Sequence, residues 1–265
     1  MLLSGSFESE ESILRHGYSL IPRTFDLAAY KFIFNQPEKV LHSYGVTLFI
    51  TVVGTILSLY FSSMAAYVLA RKDVKYRNAM AFYLFFTTLF SAGLVPYFML
   101  IANYLQLKNT ITILLLSGMF NVFHILILRT YIANSVPDSI SESAKIDGAN
   151  DFSIFMKIIL PLLKPALASI GLFVALGYWN DWYTATLFIT DEKLFPLQYT
   201  LYKILSSSNF AKQLLAGNGA VSTIELPQQT VKLALTAVAT GPIVLAYPFV
   251  QKYFVSGLTV GSVKG

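Results

Sequence analysis

Trp179, Asn180, Asp181, Trp182 and Tyr183 form the densest grouping of chemically useful side chains in this 265-residue chain. Flat rings offer apolar faces, and the amide and carboxylate beside them offer donors and acceptors, which is what recognition of a hydroxyl-rich ligand requires. An interfacial aromatic belt would use the same rings, because Trp and Tyr collect at membrane–water boundaries. Asn121 and His124 are polar groups inside an apolar run. Intramembrane ionisable groups such as His124 and Asp181 mark a pathway, a proton relay or a buried partner pair, and hydrogen-bonded packing is the plainer role for both His124 and Asn121. His16, His42 and His124 lie on different segments, with no HExxH spacing and no nucleophile motif. Without cysteine there is no disulfide framework, cysteine-held metal site or thiol nucleophile. A Gly-rich phosphate loop ending in Lys-Ser or Lys-Thr is also missing from the sequence. Catalysis by this chain is therefore not expected, and no cofactor or metal is expected in it.

The elements that position these residues are membrane helices. Hydrophobic residues make up 55% of the chain and charged residues 12%, against about 45–50% and about 25% in soluble domains. Apolar runs near 20 residues suit helices crossing a core about 30 Å thick, and their lack of strict alternation excludes a barrel. Five spans are expected: Tyr44 to Ala70, Ala79 to Tyr104 with a kink at Pro96, Ile111 to Tyr131, Pro165 to Ile189, and Leu233 to Phe254. Gly54, Ser58, Ser62, Ala65 and Ala66 give the first span a face for close packing. The net charge of +5 is scattered among the spans rather than gathered on one stripe, so it reads as orientation charge and not as a nucleic-acid surface. Four basic residues between Arg71 and Arg77 place that loop inside. Residues 132–164 then lie inside, residues 190–232 outside, and residues 1–43 form an external N-terminal segment before a membrane domain over 44–265. In the fourth span, Trp179, Trp182, Tyr183 and Thr186 are expected to share one helical face, in the outer half of the membrane.

The inner segment carries the most specific pattern. Ile140, Ala144 and Ile146, with Asp138 and Glu142, make a short amphipathic helix stopped by Gly148. A second helix from Asp151 shows Phe152, Phe155, Met156, Ile159 and Leu160 at helical spacing before Pro161 and Pro165. Amphipathicity alone fits a hairpin resting on the bilayer interface. The order Glu142-Ser143-Ala144, Gly148, Ile158, Leu160-Pro161, however, resembles the signature loop of permease subunits of binding-protein-dependent ATP-binding cassette importers. Ser143 stands where that family usually has Ala, a small-for-small exchange. Ile146-Asp147-Gly148-Ala149, Trp179-Asn180-Asp181 and the tail from Gln251 to Gly265 are similar to the carbohydrate branch containing maltose-type permeases. Trp179 to Ala185 with Phe195-Pro196-Leu197-Gln198-Tyr199 is similar to permeases for oligosaccharides derived from complex polysaccharides.

The resemblance implies an all-α, polytopic permease of the bacterial cytoplasmic membrane, forming an alternating-access path for an oligosaccharide. It implies a second permease subunit, two ATPase subunits that hold ATP and Mg, and an external solute-binding protein. Glu142, Ser143, Ala144, Asp147 and Gly148 would form the coupling helix against an ATPase; Trp179, Asn180, Asp181, Trp182, Tyr183, Asn121 and His124 are candidates for the substrate path. The segment 190–232, helical over Leu201 to Leu205 and Ala211 to Ala216 and broken at Gly217-Asn218-Gly219, is expected to face the binding protein together with residues 5–39. Such permeases have six spans, so the reading frame is expected to extend upstream through one more. A proton-coupled secondary transporter is the alternative function, resting on His124 and Asp181.

Overall fold

The computed structural model describes residues 1–217 and 228–259, with side chains over 1–207 and 229–244. Asn218-Gly219 and the tail motif beyond Thr259 lie outside the described residues. Among those described, the fold is helical, and its extended pairing is one isolated antiparallel bridge, Glu8 with Phe25. In chain order the helices are α1 (Leu2–Ser6), α2 (Glu10–His16), α3 (Ala28–Ile33), α4 (Pro37–Ala70), α5 (Arg77–Leu89), α6 (Leu94–Met99), α7 (Ile111–Leu116) and α8 (Val122–Ser135). There follow α9 (Asp138–Ile146), α10 (Asp151–Ile154), α11 (Leu160–Leu162), α12 (Lys164–Trp179), α13 (Tyr183–Phe188), α14 (Leu197–Gly217) and α15 (Gln228–Thr259). Wider π-helical turns continue α6 over Leu100–Tyr104 and join α10 to α11 over Phe155–Ile159.

The apolar runs are present as helices, but most are broken, and a count of five uninterrupted spans does not emerge. Among the described residues α4 alone is long and apolar enough to cross a membrane by itself. Arg77–Leu89 with Leu94–Tyr104, and Asp151–Leu162 with Lys164–Trp179, qualify only as pairs bent by 114° and 80°. The first bend falls at Phe90 to Gly93 rather than at Pro96. Pro96 sits in the opening turn of α6, where helical N–H groups have no intrahelical partner and a missing one costs little. Pro165 occupies the equivalent place in α12. Pro161 withdraws the bond to the Lys157 carbonyl, and the turn around that carbonyl is the π-helical one. The third run divides into α7 and α8, and the fourth into α12 and α13.

The chain forms two compact units, Met1–Thr47 with Asp181–Pro248, and Leu48–Asn180 with Phe249–Gly265. In the first, the N-terminal segment is built into a core with Ile13, Ala29, Ile33 and Val40 buried, as are Phe188, Leu197 and Val231. Glu10 caps α15: its carboxylate accepts from the Gln229 and Thr230 amides and the Thr230 hydroxyl, each at 2.9 Å. Thr47 Oγ1 accepts from the Leu197 amide at 2.7 Å at the start of α14.

The second unit packs α4, α8, α12 and the α9–α11 hairpin around one cluster that includes Tyr67, Ile125, Leu128, Phe155, Ile159 and Val174. Lipid leaves little hydrophobic drive between helices, so close approach of small residues carries the packing. Of the expected small-residue face of α4, Gly54, Ser58, Ser62 and Ala66 are buried and Ala65 is half-buried, and Ser63 is buried beside them. Gly54 and Gly118 form a slot for the buried Tyr178 ring, whose hydroxyl donates to the Leu115 carbonyl at 2.5 Å. A Cβ on Gly54 would lie 2.5 Å from Tyr178 Cζ, and one on Gly118 would lie 2.9 Å from it.

Gly54→Ala is therefore expected to destabilise the detergent-solubilised protein by about 1–3 kcal/mol, as overpacking does. Thermal unfolding should show a smaller loss for Gly54→Ala in a Tyr178→Leu background than in the wild type. Equal losses in both backgrounds would mean that the ring does not fill the slot.

Candidate functional site

The candidate residues fall in both compact units. The first group is that of the α9–α11 hairpin. Helix α9 begins after Pro137 and ends as the sequence requires, with Gly148 at φ +81. The Gly148 amide donates to the Lys145 carbonyl at 3.0 Å and the Ala149 amide to the Ala144 carbonyl at 2.9 Å. This pair of bonds is the Schellman reversal, which needs a left-handed residue at Gly148. Asn150 then caps α10 by accepting from the Ser153 amide at 2.8 Å.

Ala144 is buried, whereas Glu142, Ser143, Asp147 and Gly148 are exposed. Among the described residues Glu142 and Asp147 have no side-chain partner. Ile146 is 86% exposed, so it belongs to the outward face and not to the apolar face expected from spacing. In the second helix Ile154, Phe155 and Ile159 are buried and Phe152 and Met156 are exposed, so the inward stripe runs one position away from Phe152.

An ion-pair network joins this hairpin to the end of α4, and sequence reasoning missed it. Arg71 binds both carboxylate oxygens of Asp73 and reaches Asp151 at 2.7 Å. Lys145 bonds Asp73 at 2.8 Å, and Lys72 bonds Asp138 at 2.5 Å. The Arg71 guanidinium, then Lys145, hold the Asp73 carboxyl well below the usual carboxylate range. Asp73 in turn raises Arg71 and Lys145. The basic run at 71–77 signalled orientation, but its pairing across 66 and 72 residues of sequence leaves no local pattern.

The second group divides between the units, with Trp179 and Asn180 in the second and Asp181, Trp182 and Tyr183 in the first. α12 ends at Trp179 and α13 starts at Tyr183, so Trp179, Trp182, Tyr183 and Thr186 do not share one uninterrupted helix. Asn180 donates to the Leu176 carbonyl at 2.9 Å, and Asp181 accepts from the Thr184 amide at 3.0 Å, each rebuilding hydrogen bonds at the break. Trp182 stacks on Tyr202 with centroids 4.7 Å apart and meets Tyr183 edge-on at 6.0 Å. Trp179 is buried in the other unit. Trp182 and Tyr202 line a cavity of about 460 Å³ with residues of α14 and α15. A further cavity of about 620 Å³ lies where Lys39 pairs with Glu192 at 2.7 Å and His42 Nε2 meets the Lys193 carbonyl at 2.8 Å.

Asn121 accepts from the Phe123 and His124 amides, at 2.9 and 3.4 Å, and so serves as the N-cap of α8. His124 has a buried Nδ1 without a hydrogen bond and makes no ion pair among the described residues. Among those residues no group of three or more His, Asp or Glu could hold a metal ion.

Residues 58–260 match the family model described as binding-protein-dependent transport system inner membrane component. The chain is 41% identical over 264 residues to the polygalacturonan/rhamnogalacturonan transport system permease protein YtcP of Bacillus subtilis, covering 100% of this chain and 91% of that protein. It is 33% identical to the arabinooligosaccharides transport system permease protein AraQ of Halalkalibacterium halodurans, covering 100% and 89%. The fold matches a chain from the crystal structure of a bacterial ABC transporter involved in the import of the acidic polysaccharide alginate, with TM-score 0.80 and 33% identity over 96% of this chain and 88% of that one.

Asp73→Asn should loosen the hairpin, and amide hydrogen exchange at Asp147 to Ala149 should accelerate. The contribution of a depressed carboxyl is complete above the ordinary carboxylate value of 3.8 and is lost as pH falls through the depressed one. The wild-type protection should therefore persist at pH 5 and weaken in high salt, which screens exposed pairs. Gly148→Ala is expected to cost about 1–2 kcal/mol, the penalty of a left-handed residue bearing Cβ. Unchanged exchange in both variants would remove the network and the reversal as supports of α9.

Proposed function

The chain belongs to the binding-protein-dependent transport system inner membrane components, and on that premise we propose how this permease component of a sugar importer works. It pairs with a second permease subunit to enclose an alternating-access path for an oligosaccharide. ATP and Mg are held by two separate ATPase subunits, and α9 is the coupling helix that seats on one of them. The observation that carries this reading is the division of charge on the hairpin. Asp73, Asp138 and Asp151 are spent on internal ion pairs, while Glu142 and Asp147 stay exposed beside Ile146. That arrangement offers a basic, partly apolar partner a surface on a helix whose base is braced. ATPase closure would then move α8 and the α10–α12 segment together, because both pack in the same cluster as the hairpin.

Relatives whose printed names refer to polygalacturonan/rhamnogalacturonan and arabinooligosaccharides support an oligosaccharide as cargo. The first unit brings residues 1–43 together with the beginning of the 190–232 segment, through the Lys39–Glu192 and His42–Lys193 contacts. We assign this surface to docking of the external solute-binding protein. Trp182 and Tyr183 are kept as path residues; Asn180, Asp181 and Asn121 act at helix ends. Proton coupling finds less support, since Asp181 is bonded to the Thr184 amide and His124 makes no ion pair among the described residues.

The test is reconstitution of the purified complex in proteoliposomes with binding protein and a panel of oligosaccharides. ATP-dependent uptake insensitive to a proton gradient is expected. Glu142→Lys should leave membrane insertion intact and abolish sugar-stimulated ATP hydrolysis or release the ATPases. Normal coupled uptake by that variant would show that α9 is not the coupling element.

A further inference from the structure

The cavity of about 460 Å³ in the first unit falls within the range of about 300–1,000 Å³ usual for small-ligand sites. Its walls divide by chemistry. Trp182 and Tyr202 stack at 4.7 Å with their planes 27° apart, so each covers one face of the other, and at 40% and 43% exposure the pair leaves an outer ring face open. Opposite in kind are Lys232, Thr236 and Thr240 of α15 and Gln198 of α14. The three α15 residues recur every fourth position and so stand along one helical face.

The threonines are already oriented. Thr236 Oγ1 donates to the Lys232 carbonyl at 2.8 Å, and Thr240 Oγ1 donates to the Thr236 carbonyl at 2.7 Å. With its proton spent, each hydroxyl oxygen is left as an acceptor. Acceptors in a row suit a ligand that brings its own hydroxyl donors. Lys232 has no ion-pair partner among the described residues, and no carboxylate is among the described residues lining the cavity. It also stands near the start of α15, where the helix dipole disfavours a cation. The nearby carboxylate of Glu10 is engaged with the Gln229 and Thr230 amides. Among the described residues the charge of Lys232 is thus uncompensated at the cavity wall.

We infer that this cavity binds an acidic sugar unit, with the open face of the Trp182–Tyr202 stack against its C–H face, Thr236 and Thr240 accepting from its hydroxyls and Lys232 holding its carboxylate. The inference rests on the oligosaccharide reading above and narrows it to a uronate-containing cargo. A lone charge-assisted hydrogen bond is worth about 1.5–3 kcal/mol, so losing it should change recognition about tenfold or more.

The experiment uses the complete complex in vesicles of zwitterionic lipid. Binding protein is supplied at saturation, loaded in turn with uronic-acid oligosaccharides and with the same chains after reduction of their carboxyls to alcohols. Wild type should transport the charged chains about tenfold better; Lys232→Gln should erase that preference, Lys232→Arg should keep most of it, and Tyr202→Ala should slow both cargoes. Equal preference in wild type and Lys232→Gln would overturn the site while leaving the importer intact. If neither sugar stimulated ATP hydrolysis in wild type, the importer reading itself would fall, and this inference with it. A Lys232→Gln defect that appears only after anionic lipid is added, whatever the cargo charge, would make Lys232 a headgroup anchor instead. Loss of the second permease on purification of Lys232→Gln would assign the face to subunit packing and overturn the proposal.

Discussion

Every interruption of an apolar helix exposes amides and carbonyls that lipid cannot satisfy, and the architecture of this chain depends on supplying partners for them. Asn121 does so for α8, Asn150 for α10 and Asp181 for α13. Glu10, far away in sequence, does so for α15. Asn121 and Asp181, polar side chains in apolar runs, read from sequence as functional residues. Capping settles what Asn121 and Asp181 do locally, and it frees the chain to bend where a continuous helix would be straight. The bends in turn create the hairpin at one place and the aromatic cavity at another.

The braced hairpin shows how a weak class of interaction acquires consequence. Exposed ion pairs contribute little singly. Here Asp73 binds both Arg71 and Lys145, and Asp151 binds both as well, so none of the four can leave without disturbing two others. Arg71 also sits over the Tyr67 ring, 5.6 Å from its centroid, and that ring stacks on Phe155 at 5.8 Å. The network therefore continues into the packed interior of the second unit. A force applied to α9 meets a connected set of contacts and not a loose loop.

What was legible in the sequence was local. Pro137, Asp138 and Gly148 mark the start and stop of α9 within a few residues, and the small residues of α4 announce its close-packed face. Broken helices were not legible as such, because hydropathy reports apolar length and not continuity. Pro96 attracted the kink that the structure places at Phe90 to Gly93, since a proline in an opening turn looks no different in sequence from one in a helix interior. Spacing alone puts Ile146 with Ala144, but two residues turn a helix by about 200°, so the buried Ala144 leaves Ile146 on the outward face. The partners Arg71 and Asp151, or Trp182 and Tyr202, belong to separate elements, and no period connects them. Thr236 and Thr240 with Lys232 did carry a signal, a polar stripe every fourth residue in an otherwise apolar helix, which went unread.

The Glu10 cap on α15 spans 219 and 220 residues of sequence, and this fixes an order of events during synthesis. Contacts so distant along the chain cannot form until nearly all of it has emerged. Most of the second unit, residues 48–180, is contiguous and can assemble while the ribosome is still working. The first unit cannot close until its opening residues meet the last helix. A chain stopped short of α15 therefore leaves the Glu10 carboxylate without the two amides it caps.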